Sequence, residues 1–361
     1  MIKKLSILLI PLLLYSCKNE PSKSFNKQEV IDSTTIAIKK KFYAQQIDSV
    51  FSKYKFNGNV GVFVDSIEVF RKNQGYENFQ SKELNSSNTV FPIGSVSKQF
   101  TAVLLLKQVE LGTIKLSDPF SKYLDSYQNT EFKSSTIEQL LNHTSGVSDS
   151  GNSLQSKPGK EFNYSNKGYY LLGQVLEKIT GKSYTENAQE LFNSIQLKNT
   201  FTALNFKGDH FGSAYLGNAT NQEKIAGMPE RLAEKSISIA AGGILSTVDD
   251  LHRWNQALYS GKIVKSELVD QFIAPNSSRA HPIFGKMDYG YGIMIHPNEP
   301  KSYFHSGYIK GAPALNVYFP HNKTSVIILS NIADESKGKN AIFQPHKDIY
   351  KIANSIELAT K

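Results

Sequence analysis

Residues 91–106, FPIGSVSKQFTAVLLL, constrain the chain more than any other stretch. Pro92 and Gly94 break whatever precedes them, and the apolar Phe100, Val103, Leu104 and Leu106 that follow fit a helix buried in a core. The pattern predicts Ser95 at the N-terminus of that helix, exposed at its tip. Residues three apart on a helix share a face, so Ser95 and Lys98 can meet as hydroxyl and ammonium. Such a pair activates a serine without histidine: a lysine held near cationic or apolar groups can lose its proton and take one from the hydroxyl. The Ser-x-x-Lys spacing also occurs at Ser24 with Lys27, Ser52 with Lys55 and Ser336 with Lys339. Context separates them, because only Ser95 has a glycine-containing turn ahead and a long apolar helix behind. The alternative is an N-cap serine with a solvated lysine one turn later.

Two further stretches resemble sites. KEFNYSNKGYYLLGQVLEKITG predicts an amphipathic helix closed by Gly181, which leaves Tyr164, Ser165 and Asn166 in the loop before it. A tyrosine and an asparagine two apart project on one side of an extended segment, one able to move a proton and the other to bond an amide. Tyr-x-Asn recurs at Tyr76 and Tyr127, but only Tyr164 follows a long Gly/Ser/Pro loop, residues 148–160. The other stretch is His305-Ser306-Gly307, expected near a strand end. His143, in LNHTSG, is the rival base for a Ser-His-Asp scheme; its plainer reading is a histidine that orders its loop.

Around these sites, strands are expected at 57–64, 66–73, 290–296, 314–319 and 325–330, and a last helix at 345–357. AAGGILSTVDDLHRWNQALYSG predicts a helix with Trp254 in the core. Strands at both chain ends with helices between them imply an α+β fold: one antiparallel sheet from both ends, flanked by helices, with an inserted helical subdomain.

The 361 residues are 40% hydrophobic and 20% charged, a globular composition rather than a disordered one. The net charge of +9 is scattered, with no aromatic-interleaved basic patch, so nucleic acid is not an expected partner. Residues 1–17, MIKKLSILLIPLLLYSC, have the basic start and apolar run of a secretory signal too short to span a membrane comfortably. Leu14-Tyr15-Ser16-Cys17 resembles a bacterial lipobox, in which the cysteine becomes the lipidated first residue; Cys17 is the chain's one cysteine. The expected organisation is a lipoprotein signal over 1–17, a polar tether over 18–40 and a hydrolase domain over 41–357, extracytoplasmic and held to a membrane by its lipid. The dispersed histidines offer no metal-ligand spacing, and neither metal nor cofactor is expected.

In the order Ser95-Val96-Ser97-Lys98, Tyr164-Ser165-Asn166, His305-Ser306-Gly307, with LNHTSG and AGGILSTVDDL between them, the chain resembles the serine β-lactamase and penicillin-binding-protein superfamily. The likeness covers residues 45–335. It is greatest to the branch of class C type β-lactamases, D-alanyl-D-alanine carboxypeptidases, D-aminopeptidases and related carboxylesterases. The resemblance implies a β-lactamase/transpeptidase-like fold and an acyl-serine reaction on an amide or ester, the substrate being a small molecule or a peptidoglycan-like peptide. Ser95 would be the nucleophile, Lys98 its base and Tyr164 the proton relay. Asn166 would hold the substrate amide, and the N–H groups of Ser95 and Tyr308 would face the oxyanion beside Gly307. His305 stands where the family usually has lysine, which favours a peptidase or esterase over a β-lactamase, with carboxylate recognition expected only below pH 6.5 if His305 is protonated there. A binding or sensing module that acylates without turnover is the alternative.

Overall fold

The computed structural model describes residues 27–233 and 238–361. The expected signal and Cys17 lie outside them. The first described element is helix α1 (Lys27–Tyr54), which runs through the end of the expected tether. The reason is a buried ion pair: Lys39 Nζ lies 2.7 Å from the Glu357 carboxylate, which also accepts the Tyr43 hydroxyl at 2.9 Å. A lysine that reads as tether is therefore part of the core, and the domain begins before residue 41.

The hairpin of β1 (Gly58–Val64) and β2 (Ile67–Gln74) follows as expected. The helical insertion then carries α2 (Ser97–Glu110), α3 (Asn166–Thr180) and α4 (Val248–Tyr259). The chain returns through β3 (Ser277–His281), β4 (Gly285–Tyr289), β5 (Met294–His296), β6 (Ser302–Ile309), β7 (Ala312–Phe319) and β8 (Thr324–Ser330), and ends in α5 (Gln344–Ala359). The eight strands form one sheet in the order β3-β4-β5-β6-β7-β8-β1-β2, antiparallel throughout. Along β8, Val326 and Ile328 pack with α1 and α5, while Ile327 and Leu329 pack with the helical insertion. Successive side chains of a strand point to opposite faces, so the sheet is covered on both.

Two sequence expectations change. The strand expected over 290–296 is only Met294–His296, because residues 290–292 form a turn, and β3 and β4 lie in a stretch not read as strand. His305-Ser306-Gly307 lies within β6 rather than near a strand end; β6 is buried at all but one position, so its polar residues are paired inside instead of alternating with solvent. Helix α2 is enclosed from Ser97 to Leu106. Phe100 stacks on Trp254 at 3.9 Å between centroids, and the indole N–H donates to Gln99 Oε1 at 3.0 Å, which places Trp254 in the core as expected. Among the described residues no helix is long and apolar enough to cross a membrane.

Candidate active site

Ser95 sits in a short 3-10 turn, Gly94–Val96, that runs directly into α2. Gly94 has φ +51°, and a Cβ there would stand 2.6 Å from the Tyr308 amide nitrogen of β6. A Cβ on Gly307 would lie 1.9 Å from the Ile93 carbonyl oxygen and 3.0 Å from the Ser95 nitrogen. Only glycines at both positions let the serine turn and the strand approach closely, and that approach brings the backbone nitrogens of Ser95 and Tyr308 to one place. Two N–H groups converging beside a serine hydroxyl are suited to holding a carbonyl oxygen that gains charge.

Lys98 follows one helical turn later and is fully buried. Its Nζ lies 2.8 Å from Asn166 Oδ1, 2.8 Å from the Ala241 carbonyl oxygen and 3.2 Å from Ser95 Oγ. Two acceptors match the two N–H bonds of a neutral amine, which directs the lone pair at the serine hydroxyl; in the ammonium the third N–H points there instead. The group can thus take a proton from Ser95 and give it back without moving. Tyr164 lies beside it, with Nζ 4.9 Å from the ring centroid. Among the described residues the Tyr164 hydroxyl has no hydrogen-bond partner, and its side chain lines the cavity at Ser95.

The Tyr164–Asn166 loop is held by a residue that the sequence did not single out. Asp149 Oδ1 accepts the Ser165 hydroxyl at 2.9 Å and the Lys167 amide at 3.0 Å, while Oδ2 accepts Asn166 Nδ2 at 3.3 Å. It lies in the long Gly/Ser/Pro loop over residues 148–160. Ser165 in turn caps α3 by accepting the Gly168 N–H at 3.0 Å.

His143 takes the plainer of its two roles. Its Nδ1 accepts the Ser165 N–H at 3.2 Å and its carbonyl accepts the Asn163 N–H at 2.7 Å. The ring packs 4.4 Å from that of Tyr164 and has no hydrogen bond to Ser95 or to an acid among the described residues. Burial first, then the charges of Lys98 and Arg279, push its pKa well below the usual histidine value.

His305 contradicts the expectation that it recognises an anion when protonated. It is fully buried, its Nδ1 lies 2.7 Å from the Ser306 carbonyl oxygen and its Nε2 lies 2.9 Å from the Tyr289 hydroxyl. An N–H at Nδ1 and a lone pair at Nε2 satisfy both contacts with the neutral ring. Burial, followed by the Lys98 charge, holds its pKa well below 6.5, against a smaller opposing effect of the Ser306 carbonyl. His305 is a neutral strut under Ser306 and not a switchable cation.

Ser95 lies where two cavities meet. One of about 260 Å³ is lined by Asn166, Arg231, Gly242 and Lys310; the other, of about 640 Å³, by Tyr164, Arg279, His305, Ser306 and Phe343. Tyr308 borders both, its hydroxyl donating to Glu335. Among the described residues no group of three or more His, Cys, Asp and Glu is placed to hold a metal ion.

The beta-lactamase family model matches residues 45–345. The chain belongs to the beta-lactamase family. Among curated relatives, the teichoic acid D-alanine hydrolase of Staphylococcus aureus (strain MRSA252) is 26% identical over 356 residues, covering 92% of this chain and 82% of its own. Among solved structures, a penicillin binding protein from Bacillus halodurans superposes with a TM-score of 0.71 at 20% identity, over 85% of this chain and 98% of its own. The D-alanine carboxypeptidase AmpC from Burkholderia cenocepacia gives a TM-score of 0.71 at 20% identity, over 88% and 99%. The fold is that of the β-lactamases and transpeptidases, and membership of this hydrolase family agrees with the order of motifs read from the sequence.

Proposed function

We propose that the protein is a serine hydrolase working through an acyl-Ser95 intermediate on an amide or ester with a small acyl group. The observation that carries this reading is the position of Lys98 Nζ, shared among Ser95 Oγ, Asn166 Oδ1 and the Ala241 carbonyl. Ser95 Oγ attacks the carbonyl carbon as its proton passes to Lys98, and the N–H groups of Ser95 and Tyr308 hold the oxyanion. Tyr164 delivers a proton to the leaving nitrogen or oxygen as that bond breaks. Water, deprotonated by the same pair, then cleaves the acyl-serine and restores Ser95. The S. aureus relative, named for D-alanine hydrolysis from teichoic acid, supports a D-alanyl or similar acyl group. We further propose that residues 1–17 direct export and that lipidated Cys17 holds the domain at a membrane; the lipobox-like Leu14–Cys17 segment supports this.

Incubation of the chain from Lys27 onward with a neutral fluorophosphonate, followed by intact-mass and peptide analysis, is expected to give one adduct, on Ser95. Ser95→Ala should give none. An adduct elsewhere, or equal labelling of the variant, would remove the assignment. The close packing at β6 adds a second expectation. Gly307→Ala pushes the strand off the Ile93 carbonyl and misplaces an oxyanion donor, which should slow acylation about 10²- to 10³-fold. An unchanged labelling rate in a variant that melts like the parent would contradict the oxyanion role.

A further inference from the structure

A third cavity, of about 450 Å³, shares a wall with the larger cavity at Ser95. The wall is residues 334–343: Glu335, Gly338 and Phe343 line the larger cavity, Asp334, Lys337 and Asn340 line this one, and Ile342 borders both. The other sides come from the end of α1 with Lys55 and Phe56 after it, from the turn that starts at Ala219, and from the start of α5. Its volume is within the roughly 300 to 1,000 Å³ of small-molecule sites, and neither Ser95 nor Tyr164 lines it. The lining is divided by polarity. Phe56, Ala333 and Ile342 are buried and apolar, whereas Asn218 and Asn340 are exposed and Gln344 is half-buried. These three amides have capacity to spare. Among the described residues, Asn218 Oδ1 accepts from Thr220 and Asn221 while its Nδ2 has no partner, Gln344 donates to Asp348 at 2.8 Å while its Oε1 accepts nothing, and the Asn340 amide makes no hydrogen bond.

The charges of the lining do not suit an anion. Lys337 is paired with Asp334 at 3.4 Å, which leaves Lys55 as the unpaired cation among the described lining residues. His346 adds no charge: burial lowers its pKa to about 3, and with Nε2 donating to the Pro313 carbonyl its Nδ1 is a lone pair without a partner. A lone pair and a carboxylate against one exposed lysine disfavour a negative ligand, and a wholly apolar one would take three free amides out of water with nothing to bond. The match is a molecule with C–H groups for the apolar floor and hydroxyls for the mouth, because each hydroxyl both gives and accepts a hydrogen bond and so meets an amide N–H or an amide oxygen. We propose that this cavity binds a neutral sugar or sugar alcohol, held beside the substrate cavity across the common wall. The site is separate from the acyl-transfer chemistry, and its test needs no turnover.

Saturation-transfer NMR and amide hydrogen exchange on the protein test it with three probes. Diacetylchitobiose, D-glucose and ribitol separate an acetamido sugar, a plain ring and an open-chain polyol, and inorganic phosphate serves as the anion. At least one of the three is expected to bind with a Kd of about 1 mM, the scale of a few net hydrogen bonds. It should slow exchange at residues 54–57 and 334–346, and phosphate should do neither. Asn340→Ala removes an exposed amide and is expected to weaken binding about fivefold, the worth of one hydrogen bond. Ala219→Trp places an indole in the mouth and should raise Kd by about tenfold or more. A thermal melt of each variant shows whether it folds, and Asn340→Ala, changed at an exposed position, decides the matter if the tryptophan variant does not. No binding of any probe at about 50 mM, tighter binding of phosphate, protection confined to the Ser95 and Tyr164 segments, or an unchanged Kd in a folded variant overturns the proposal.

Discussion

Lys98→Ala slows acylation of Ser95 by about 10²- to 10⁴-fold, the usual contribution of a positioned general base, and His143→Asn slows it by less than about tenfold, below that range. The contrast follows from hydrogen bonds. Among the described residues Lys98 is the one basic side chain that reaches Ser95 Oγ, at 3.2 Å, and alanine leaves both the hydroxyl and Asn166 Oδ1 without it. His143 instead supports the backbone of Ser165 and sits at φ +61°. Asparagine tolerates that left-handed conformation and offers an acceptor to the same N–H, so its cost falls mainly on stability, through the volume lost beside Tyr164. The measurement is the labelling rate constant with the neutral fluorophosphonate, beside a thermal melt of each variant. The reverse order, with His143→Asn the dead protein and Lys98→Ala nearly intact, would establish the Ser-His-Asp scheme.

The parts of the site that the sequence displays are those in which local structure decides position. Ser95 and Lys98 are one turn apart on an apolar helix, and Tyr164 and Asn166 precede an amphipathic one, so periodicity and helix ends were enough to mark them. The parts it conceals depend on partners distant in the chain. Asp149 matters because three groups of the 165–167 segment meet its carboxylate, and nothing near Ser148 or Ser150 announces that. Arg279 reads as a charge in a polar strand, and becomes distinctive only once Phe162 and Tyr164 are beside it. The same physics misplaced the tether, since Lys39 is polar in sequence and buried by Glu357, 318 residues away. It also misjudged His305: its reference pKa suggested a switch, and the Tyr289 hydroxyl with the surrounding burial makes it a neutral strut.

Those buried imidazoles make the fold sensitive to mild acid. His143 and His305 are held well below the usual histidine pKa chiefly by burial, His252 and His281 are each lowered to about 4 and His346 to about 3, burial again leading in each case. Their unfolded values are near 6.5, so above that pH both states are neutral and these groups contribute nothing to the pH dependence. Below it the unfolded chain binds protons that the folded one refuses. Stability therefore falls as pH falls, by about 1.4 kcal/mol per unit for each histidine, or about 7 kcal/mol per unit for the five at the steepest. Carboxylates whose pKa values are lowered, such as Asp118 and Asp348, act in the same direction but only near and below pH 4, so the interval from 6.5 to 5 isolates the histidines. Against a total stability of about 5 to 15 kcal/mol, the domain is expected to unfold between about pH 5 and 4. Urea unfolding at about pH 7.5, 6.5, 5.5 and 5.0 checks the slope. His346→Gln, whose amide can still donate to the Pro313 carbonyl as His346 Nε2 does at 3.1 Å, should reduce it by about one fifth. A free energy of unfolding that stays constant across the interval would mean that the imidazoles are protonated in place, and the neutral reading of His305 would fall with it.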